Sequence, residues 1–235
     1  MGLYIILMGV QGAGKGEQAK FIREHYAIPH VSTGDLFRAM KTREDALAKR
    51  IQQLMAEGKL IDDATTNEVV QERLSQPDAA GGVILDGYPR TPAQAEWLDQ
   101  YLAGRGEKIT AVLQLDLDLY TAFKRAFGRV SSPSGATYNI YFNDEGIEWT
   151  FEDYPEGAKY PPRLKAVVSA TGEQLVRRPD DASAHAILKR IDTYVSTTQP
   201  LIEYYQAKGL VRSVDANQSI PEVSEQIKAA IDAAR

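Results

Sequence analysis

The sequence predicts an α/β fold in which helices cover both faces of one five-stranded parallel sheet. Short apolar runs alternate with longer segments of helical periodicity, which is typical of parallel strands joined by right-handed crossovers. A glycine-rich turn, Gly9–Gly16, directly follows the first apolar run and precedes a helical segment. A G-x-x-x-x-G-K pattern in that position is typical of a phosphate-binding loop, or P-loop. The same stretch therefore predicts both a fold class and a phosphate site.

Five short strands are predicted, at Leu3–Met8, Ile28–Val31, Val83–Asp86, Ile109–Leu115 and Leu210–Val214. The first and third are predicted to be buried, because parallel strands covered on both faces lack polar alternation. Helices are predicted at Glu17–Arg23, Leu36–Lys59, Asp62 or Asp63 through Leu74, Thr91 to about Gly104, Tyr120–Phe127, Ala184–Ala207 and Pro221–Ala234.

Helix boundaries are marked by residues that satisfy unpaired backbone groups. Gly58 is a natural stop for the long second helix. Asp62 or Asp63 is predicted to cap the helix that follows. Thr91 is predicted as the next N-cap, with Pro92 at the first helical position and Gln94 completing a capping box.

Residues 128–181 differ in composition from the rest of the chain, being rich in Pro, Gly, Tyr, Ser and Asp without a sustained helical period. A tract of this length is either a functional lid or a disordered insertion. Alternation over Thr137–Phe142 predicts a small hairpin. Aromatic residues are predicted to form a small core there, which argues against disorder. They are Tyr138, Tyr141, Phe142, Trp149, Phe151, Tyr154 and Tyr160.

Composition excludes several classes of protein. Of 235 residues, 43% are hydrophobic and 25% charged, the net charge is −5, and there is no cysteine. These values are typical of a globular protein with one main core. The negative charge argues against a nucleic-acid-coating surface. The absence of cysteine excludes disulfides, a thiol nucleophile and a cysteine-based zinc site. The first apolar run is too short to span a membrane and lacks signal-peptide features, so a cytoplasmic protein is expected.

The glycine-rich turn is expected to hold the phosphates of a nucleoside triphosphate. Its glycines let successive backbone N–H groups face one anion, and the following helix adds the partial positive charge of its N-terminus. Lys15 is expected to reach the outer phosphates as a mobile charge. The alternative is an ordinary turn with a surface lysine, which the agreement of spacing and flanking elements disfavours.

Polar residues that follow the predicted strands are expected to share one cleft, because ligands of such folds bind at the carboxyl ends of the strands. These residues are Lys15, Thr33, Asp86 and Arg90. Asp86 has the position of a carboxylate that holds Mg²⁺ directly or through water. The alternative is a carboxylate that merely ends a strand at a turn.

Arginines beside turns, at helix starts or at the edges of the 128–181 tract indicate the substrate class. They are Arg38, Arg90, Arg125, Arg129, Arg178 and Arg190. Phosphoryl transfer depends on positioning and charge stabilisation, and this many cations suit two clustered polyphosphates better than one. The alternative for each is a solvated surface ion pair. The three histidines, His25, His30 and His185, show no link to a Ser or Cys nucleophile. An acceptor that is itself a phosphate needs no general base.

Taken together, these motifs resemble those of the adenylate kinase family, among the nucleoside monophosphate kinases, over nearly the whole chain. The resemblance rests on Gly9–Gly16, Ser32–Arg38, Asp86–Thr91 with Gln94, Gly128-Arg129, Pro133–Gly135, Thr171–Glu173 and Arg178–Asp181. Ordered motifs at compatible spacing make this resemblance highly specific. It implies reversible phosphoryl transfer from Mg-ATP to AMP, giving two ADP, by a monomer without nucleic-acid or membrane partners.

The resemblance also implies roles for individual residues. The ATP site is implied to comprise Gly12, Ala13, Gly14, Lys15, Gly16, Glu17, Arg125 and Arg129. The AMP site is implied to comprise Thr33, Gly34, Arg38, Gly87, Arg90, Gln94, Arg178 and Arg190. Lys15, Arg90, Arg129, Arg178 and Arg190 are implied to act on the transferring phosphoryl group. Asp86 is implied to hold Mg²⁺ through water, and Asp180 and Asp181 to orient arginines.

Three parts of the chain are implied by the family fold. The core comprises residues 1–31, 62–127 and 182–235, an AMP-binding insertion comprises 32–61, and a lid comprises 128–181. Both insertions are expected to close over the substrates, because a closed lid excludes the water that would hydrolyse ATP. Thr33 after Ser32 resembles AMP-selective members more than pyrimidine-selective ones.

Two departures from the family pattern stand out. Glu17 replaces the usual threonine after Gly-Lys-Gly, and we expect its carboxylate to turn away from the phosphates or to reach the hydration shell of Mg²⁺. The lid is lengthened around residues 144–165, lacks zinc-binding cysteines, and has Val168 where a carboxylate would complete a polar staple with Ser131, Ser134 and Thr171. We expect the aromatic cluster to replace metal or staple.

Alternative functions remain open on the sequence. The acceptor could be another nucleoside monophosphate, or the chain could be a catalytically silent nucleotide-binding module, with Glu17 as a sign of decay. Arginines facing a transferring phosphoryl group argue against a mere binder. A small-molecule kinase of the shikimate kind would share the phosphate loop but would not explain Asp86–Arg90.

Overall fold

The computed structural model describes residues 2–57, 61–152, 163–178, 181 and 183–235. The chain divides into two compact units. The first comprises Met1–Leu117 with Tyr194–Arg235, and the second comprises Asp118–Thr193.

The first unit contains the predicted five-stranded parallel sheet. Its strands are β1 (Leu3–Met8), β2 (His30–Ser32), β3 (Gly82–Asp86), β4 (Ile109–Asp116) and β10 (Val211–Asp215), in the spatial order β10-β4-β1-β3-β2. All neighbouring pairs run parallel. Every residue of β1 is buried, as expected for a central strand covered on both faces. The predicted α/β class and parallel sheet are confirmed.

Helices connect these strands and supply the layers on either side. They are α1 (Lys15–Tyr26), α2 (Thr33–Met40), α3 (Ala46–Ala56), α4 (Asp63–Leu74), α5 (Pro92–Ala103), α7 (Ala184–Gln206) and α8 (Ile220–Asp232), with a short 3₁₀ helix at Pro77–Ala79. Only the part of α7 from Tyr194 onward belongs to the first unit. The main core lies between the sheet and the helices and includes the buried side chains of Tyr4, Tyr88, Leu98 and Tyr205.

The single helix predicted over Leu36–Lys59 is wrong, because the structure has two helices, α2 and α3, separated by residues 41–45. The side chain of Asp45 accepts a hydrogen bond from the backbone N–H of Ala48 at 3.0 Å. That bond satisfies an unpaired donor in the first turn of α3 and so starts a new helix. The predicted stop at Gly58 lies outside the described residues.

Caps elsewhere agree with the sequence except in one detail. Asp62 caps α4, accepting from Thr65 N at 2.7 Å, and Thr91 caps α5, accepting from Gln94 N at 3.1 Å. The predicted capping box at α5 is incorrect, since the Gln94 side chain accepts from the N–H of Arg90 rather than of Thr91.

The second unit is ordered over its described residues and contains α6 (Leu119–Phe127) and two small antiparallel sheets. One pairs β5 (Arg129–Ser131) with β6 (Thr137–Asn139). The other has the order β7 (Ile147–Glu152), β8 (Arg163–Val168) and β9 (Gln174–Leu175). The hairpin predicted over Thr137–Phe142 is only partly present. Strand β6 ends at Asn139 and pairs with β5, which precedes it in the chain.

The buried centre of the second unit's core is aliphatic, so the expected aromatic cluster is present only in part. Its buried members are Val130, Ile140, Ile147, Ala166 and Leu175. Tyr138, Phe151, Leu164 and Val168 pack around it. Tyr141, Phe142 and Trp149 are instead 45%, 50% and 39% exposed. Tyr154 and Tyr160 lie outside the described residues.

The aliphatic core also accounts for Val168, which takes the place of the expected staple carboxylate and packs against the core as an apolar residue. The staple hydroxyls make local bonds instead. Ser134 Oγ lies 2.7 Å from Ser132 Oγ, Ser131 Oγ lies 3.4 Å from Thr137 Oγ1, and Thr171 accepts from Glu173 N.

Candidate active site

The phosphate loop runs from the end of β1 into α1. Gly14 caps the helix in a left-handed conformation, φ +86°, without a side-chain cap, and Gly12 has φ +91°. A side chain at either position would be strained. The first N–H groups of α1 therefore have no intrahelical partner and are oriented to bind an anion.

The side chain of Lys15 folds back against the start of the phosphate loop. Its Nζ donates to the carbonyl oxygens of Gly9 at 2.6 Å and Val10 at 3.2 Å. The ammonium group therefore adds its positive charge directly beside the helix N-terminus.

Glu17 and Gln18 are neighbours in the first turn of α1 that differ in burial. Gln18 is buried, donates from Nε2 to Ile220 O at 3.2 Å, and accepts from Ser224 Oγ at 2.9 Å. Glu17 is exposed and forms no ion pair within the described part of the chain. Its carboxylate thus places a solvent-exposed negative charge in the first turn of α1.

Asp86 ends β3, opposite Ser32, the last residue of the parallel strand β2. Its Oδ2 lies 3.3 Å from His30 Nε2, and both side chains are largely buried. Sequence reasoning assigned no function to His30, whose strand pairs with β3 in the structure. No group of three or more potential metal ligands occurs among the described residues.

Thr33, Gly87 and Arg90 form a hydrogen-bonded group beside Asp86. Thr33 is buried, and its Oγ1 donates to Gly87 O at 2.9 Å, while Arg90 Nε donates to the same oxygen at 2.8 Å. Gly87 has φ +75°, and a Cβ there would lie 3.0 Å from Thr33 Oγ1. Only glycine fits this position without strain.

Gln94 is 4% exposed, and both atoms of its amide are engaged. Oε1 accepts from Arg90 N at 2.7 Å, and Nε2 donates to Asp63 Oδ1 at 2.7 Å. Asp63 Oδ2 also accepts from Thr91 Oγ1 at 2.8 Å. Sequence reasoning treated Asp63 only as a possible cap and so missed these contacts.

Tyr88, which follows Gly87 in the same loop, is buried. Its hydroxyl donates to Asn67 Oδ1 at 2.6 Å, and burial raises the pKa of Tyr88. Nothing in the sequence alone pairs these two residues.

Arg38 and Gly34 lie in the first turns of α2. Arg38 forms an exposed ion pair with Asp35, one turn earlier. Burial alone would raise the pKa of Asp35, but the hydrogen bond and charge of Arg38 outweigh it and lower that pKa. A Cβ on Gly34 would lie 3.4 Å from two Arg38 nitrogens.

In the second unit, Asp181 joins two of the predicted arginines. Its carboxylate is fully buried and accepts from Arg129 Nε at 3.0 Å and Arg190 Nη1 at 2.9 Å. Arg178 is exposed on the same unit. Asp180, predicted to share this role, lies outside the described residues.

Arg125 lies over an aromatic face. Its guanidinium carbon is 5.6 Å from the ring centre of Phe142, and burial lowers the pKa of Arg125. The nearby Arg177 was missed by sequence reasoning. It donates from Nη2 to Phe127 O at 3.0 Å and lies over that ring, and burial lowers its pKa.

The structure thus places Lys15, Thr33 and Asp86 after β1, β2 and β3, which are adjacent in the sheet order. Arg90 and Gln94 join them through Gly87 and Asp63. Arg125, Arg129, Arg178 and Arg190 belong to the second unit. Across the described residues, no helix is both long enough and apolar enough to cross a membrane.

Comparison with known proteins gives a consistent family. A sequence model of the adenylate kinase family matches residues 7–210. The adenylate kinase of Moorella thermoacetica is 40% identical over 220 residues, covering 93% of each chain. That of Symbiobacterium thermophilum is 39% identical, covering 99% of this chain and all of the relative. That of Caldanaerobacter subterraneus is 38% identical, covering 97% of this chain and 95% of the relative. The chain belongs to the adenylate kinase family, whose enzymes transfer phosphoryl groups between nucleotides.

Proposed function

We propose that the chain transfers the γ-phosphoryl group of Mg-ATP to AMP, reversibly, giving two ADP. One observation carries the proposal. Three adjacent parallel strands end at a glycine-capped phosphate loop, at Asp86 and at Thr33, so a donor site and an acceptor site share one edge of the sheet. The full-length similarity to adenylate kinases supports this assignment.

The donor site is proposed to be the phosphate loop. Gly12, Ala13, Gly14, Gly16 and Glu17 enclose the phosphates, and the unpaired N–H groups at that end of α1 bind the phosphate oxygens. The N–H of Ala13 donates to Val10 O at 3.1 Å and so shapes the loop. Lys15 adds a mobile charge at the outer phosphates.

The acceptor site is proposed to be the group around Gly87. Arg38 and Arg90 bind the AMP phosphate through charge-assisted hydrogen bonds. Thr33, Gly34, Gly87 and Gln94 form the wall against which the nucleoside packs. The phosphate of AMP is already anionic, so the attack needs no general base.

Charge stabilisation in the transition state is assigned to arginines. Arg129, Arg178 and Arg190 contact the transferring phosphoryl group, whose negative charge is spread over three oxygens. Asp181 holds Arg129 and Arg190 in defined directions, and positioned guanidinium groups act without reorganising during the reaction. Arg125 is assigned to the adenine of ATP, on whose face a guanidinium can stack.

Asp86 fits the magnesium ion that accompanies ATP. Only Oδ2 hydrogen-bonds within the described residues, and one carboxylate suits an ion that keeps most of its water and takes phosphate ligands. When bound, Mg²⁺ neutralises charge on the phosphates. Asp86 orients its bound water.

The segments 32–61 and 128–181 are proposed to act as AMP-binding and lid segments around the core. Their closure over bound nucleotides excludes water, which protects ATP from hydrolysis.

A coupled assay of ADP formation tests the proposal. Mg-ATP is combined with AMP, CMP, UMP or GMP, using the unaltered chain, Lys15→Met and Arg90→Ala. We expect strong AMP-dependent turnover that falls at least a hundredfold in both variants, since each loses a charge at the reacting phosphates. Turnover with another monophosphate would keep the reaction and assign a different acceptor. Binding of ATP without transfer to any acceptor would reject the proposal.

A further inference from the structure

We propose that Asp63 is a positioning residue that fixes the amide orientation of Gln94 and so makes the acceptor site select adenine over bases with a 6-oxo group. The inference rests on the proposed function, in which Gln94 lies at the nucleoside of AMP. It adds the chemical reason for the base selectivity of that site.

The contact joins the starts of two helices. Asp63 is the first residue of α4, and Gln94 is the third residue of α5. Asp63 Oδ1 accepts from Gln94 Nε2 at 2.7 Å, and Oδ2 accepts from Thr91 Oγ1 at 2.8 Å. The carboxylate is thereby held by two donors from one turn of α5.

The partners of Gln94 determine which way its amide faces. A carboxylate only accepts hydrogen bonds, so Nε2 must face Asp63. A backbone N–H only donates, so Oε1 must face Arg90 N, 2.7 Å away. The inverted amide would place oxygen against oxygen and N–H against N–H, in a side chain that is 4% exposed. Inversion is therefore strongly disfavoured, because such a buried amide has little access to compensating water.

A fixed amide presents a fixed order of donor and acceptor. After these two bonds, Nε2 retains one N–H and Oε1 retains one lone pair. Adenine presents an amino donor at C6 beside an acceptor at N1, which matches that order. Hypoxanthine and guanine present an acceptor at C6 beside an N–H at N1, which is the reverse. A freely rotating amide would accept both patterns, whereas this one accepts only the first.

Asp63 is not needed to cap its own helix. Asp62 performs that role through Thr65 N at 2.7 Å and Thr65 Oγ1 at 3.2 Å. Asp62 therefore has a structural role as the helix cap, and Asp63 has the positioning role toward Gln94. Asp62→Ala is a matched control for Asp63→Ala.

The experiment compares AMP with IMP, which differ only in the edge that Gln94 is proposed to contact. Steady-state kinetics at saturating Mg-ATP, calorimetric binding of both monophosphates, KM for ATP and thermal unfolding are measured for the unaltered chain and for Asp63→Ala, Asp63→Asn and Asp62→Ala. Asp63→Ser, whose shorter side chain stops short of Gln94, replaces Asp63→Ala if that variant does not fold.

We expect Asp63→Ala to lower the AMP-to-IMP ratio of kcat/KM about tenfold, mainly through KM for AMP, with KM for ATP unchanged. Asp63→Asn keeps the ratio within about twofold, because its Oδ1 still accepts from Gln94 and its Nδ2 donates to Thr91. Asp62→Ala lowers the unfolding temperature and leaves the ratio unchanged.

An unchanged ratio in Asp63→Ala overturns the inference, as does an equal loss in Asp62→Ala or Asp63→Asn. If the unaltered chain forms no ADP but binds AMP in preference to IMP, and Asp63→Ala loses that preference, the proposed function fails while the inference stands. Binding of neither monophosphate overturns both.

Discussion

At the scale of single residues, Asp181 is the clearest case of charge held for positioning. It is the one fully buried carboxylate among the residues that the structure describes, and it faces two arginines. A buried carboxylate is costly unless it is paired, and so are the cations left behind when it is removed. The pairing therefore couples the stability of the second unit to the placement of Arg129 and Arg190.

Asp181→Asn tests this coupling. We expect the free energy of unfolding to fall by about 3 kcal/mol. This is the lower end of the range for a broken buried pair, because both arginines keep some access to water. We also expect a larger loss in kcat than in KM for either nucleotide, since the arginines are proposed to act on the transition state. Denaturant unfolding and steady-state kinetics supply the measurements. The exposed carboxylate in Asp144→Asn is the control, and equal effects there would refute the role of burial.

Residue-level prediction from sequence worked where one side chain carries the signal. Lys15, Asp86 and Arg90 follow strand ends that the apolar runs make visible. Prediction from sequence failed where a contact joins two residues that are far apart in the chain. Asp63 and Gln94 lie 31 positions apart, and a helix cap already accounts for an aspartate near residue 62. Tyr88 and Asn67 were missed for the same reason.

At the scale of elements, the break between α2 and α3 depends on Asp45. Its carboxylate accepts from Ala48 N and also pairs with Arg43. Periodicity extends across the break and hides it, because apolar residues on both helices pack into one cluster that includes Met40, Ala48 and Ile51. The cap, rather than the pattern, determines where the second helix starts.

Asp45→Ala is expected to lower the thermal unfolding midpoint by a few degrees and to speed amide exchange in α3. The hydrogen bond from Ala48 and then that from Arg43 lower the pKa of Asp45 below its ordinary value of 3.8. A lowered pKa in the folded state gives stability that is full above the ordinary value and is lost as pH falls through the lowered one. The midpoints of variant and unaltered chain should therefore converge in acid. Glu44→Ala is the control, and a difference that persists in acid contradicts the assignment.

At the scale of the whole molecule, the sheet was predictable and the second unit only in part. Buried parallel strands have continuous apolar runs, so β1, β3 and β4 are visible in the sequence. Strands β7 and β8 of the second unit have six residues each, and Ile147–Glu152 alternates apolar with polar residues, but the Pro-, Gly- and Ser-rich composition around them indicated loops. Two of the predicted aromatic residues, Tyr138 and Phe151, pack against the core of that unit. Tyr141, Phe142 and Trp149 are exposed, whereas small aliphatic side chains such as Val130 and Ala166 fill the interior.

Because each unit has a core of its own, we expect damage to one core to act locally. Ile147→Ala removes a buried side chain from the second unit, and Ile227→Ala removes one from α8 of the first. Each deletion should cost about 2 to 4 kcal/mol. Amide exchange followed by mass spectrometry should rise in β7–β9 for Ile147→Ala while β1 and β4 stay protected, and the reverse should hold for Ile227→Ala. A chelator should change neither profile, since we infer that the core around Val130 and Ile147, rather than a metal, stabilises the second unit. Equal loss of protection in both units for either variant would mean that the two cores unfold as one cooperative body, and the proposed independence of the second unit would then be rejected.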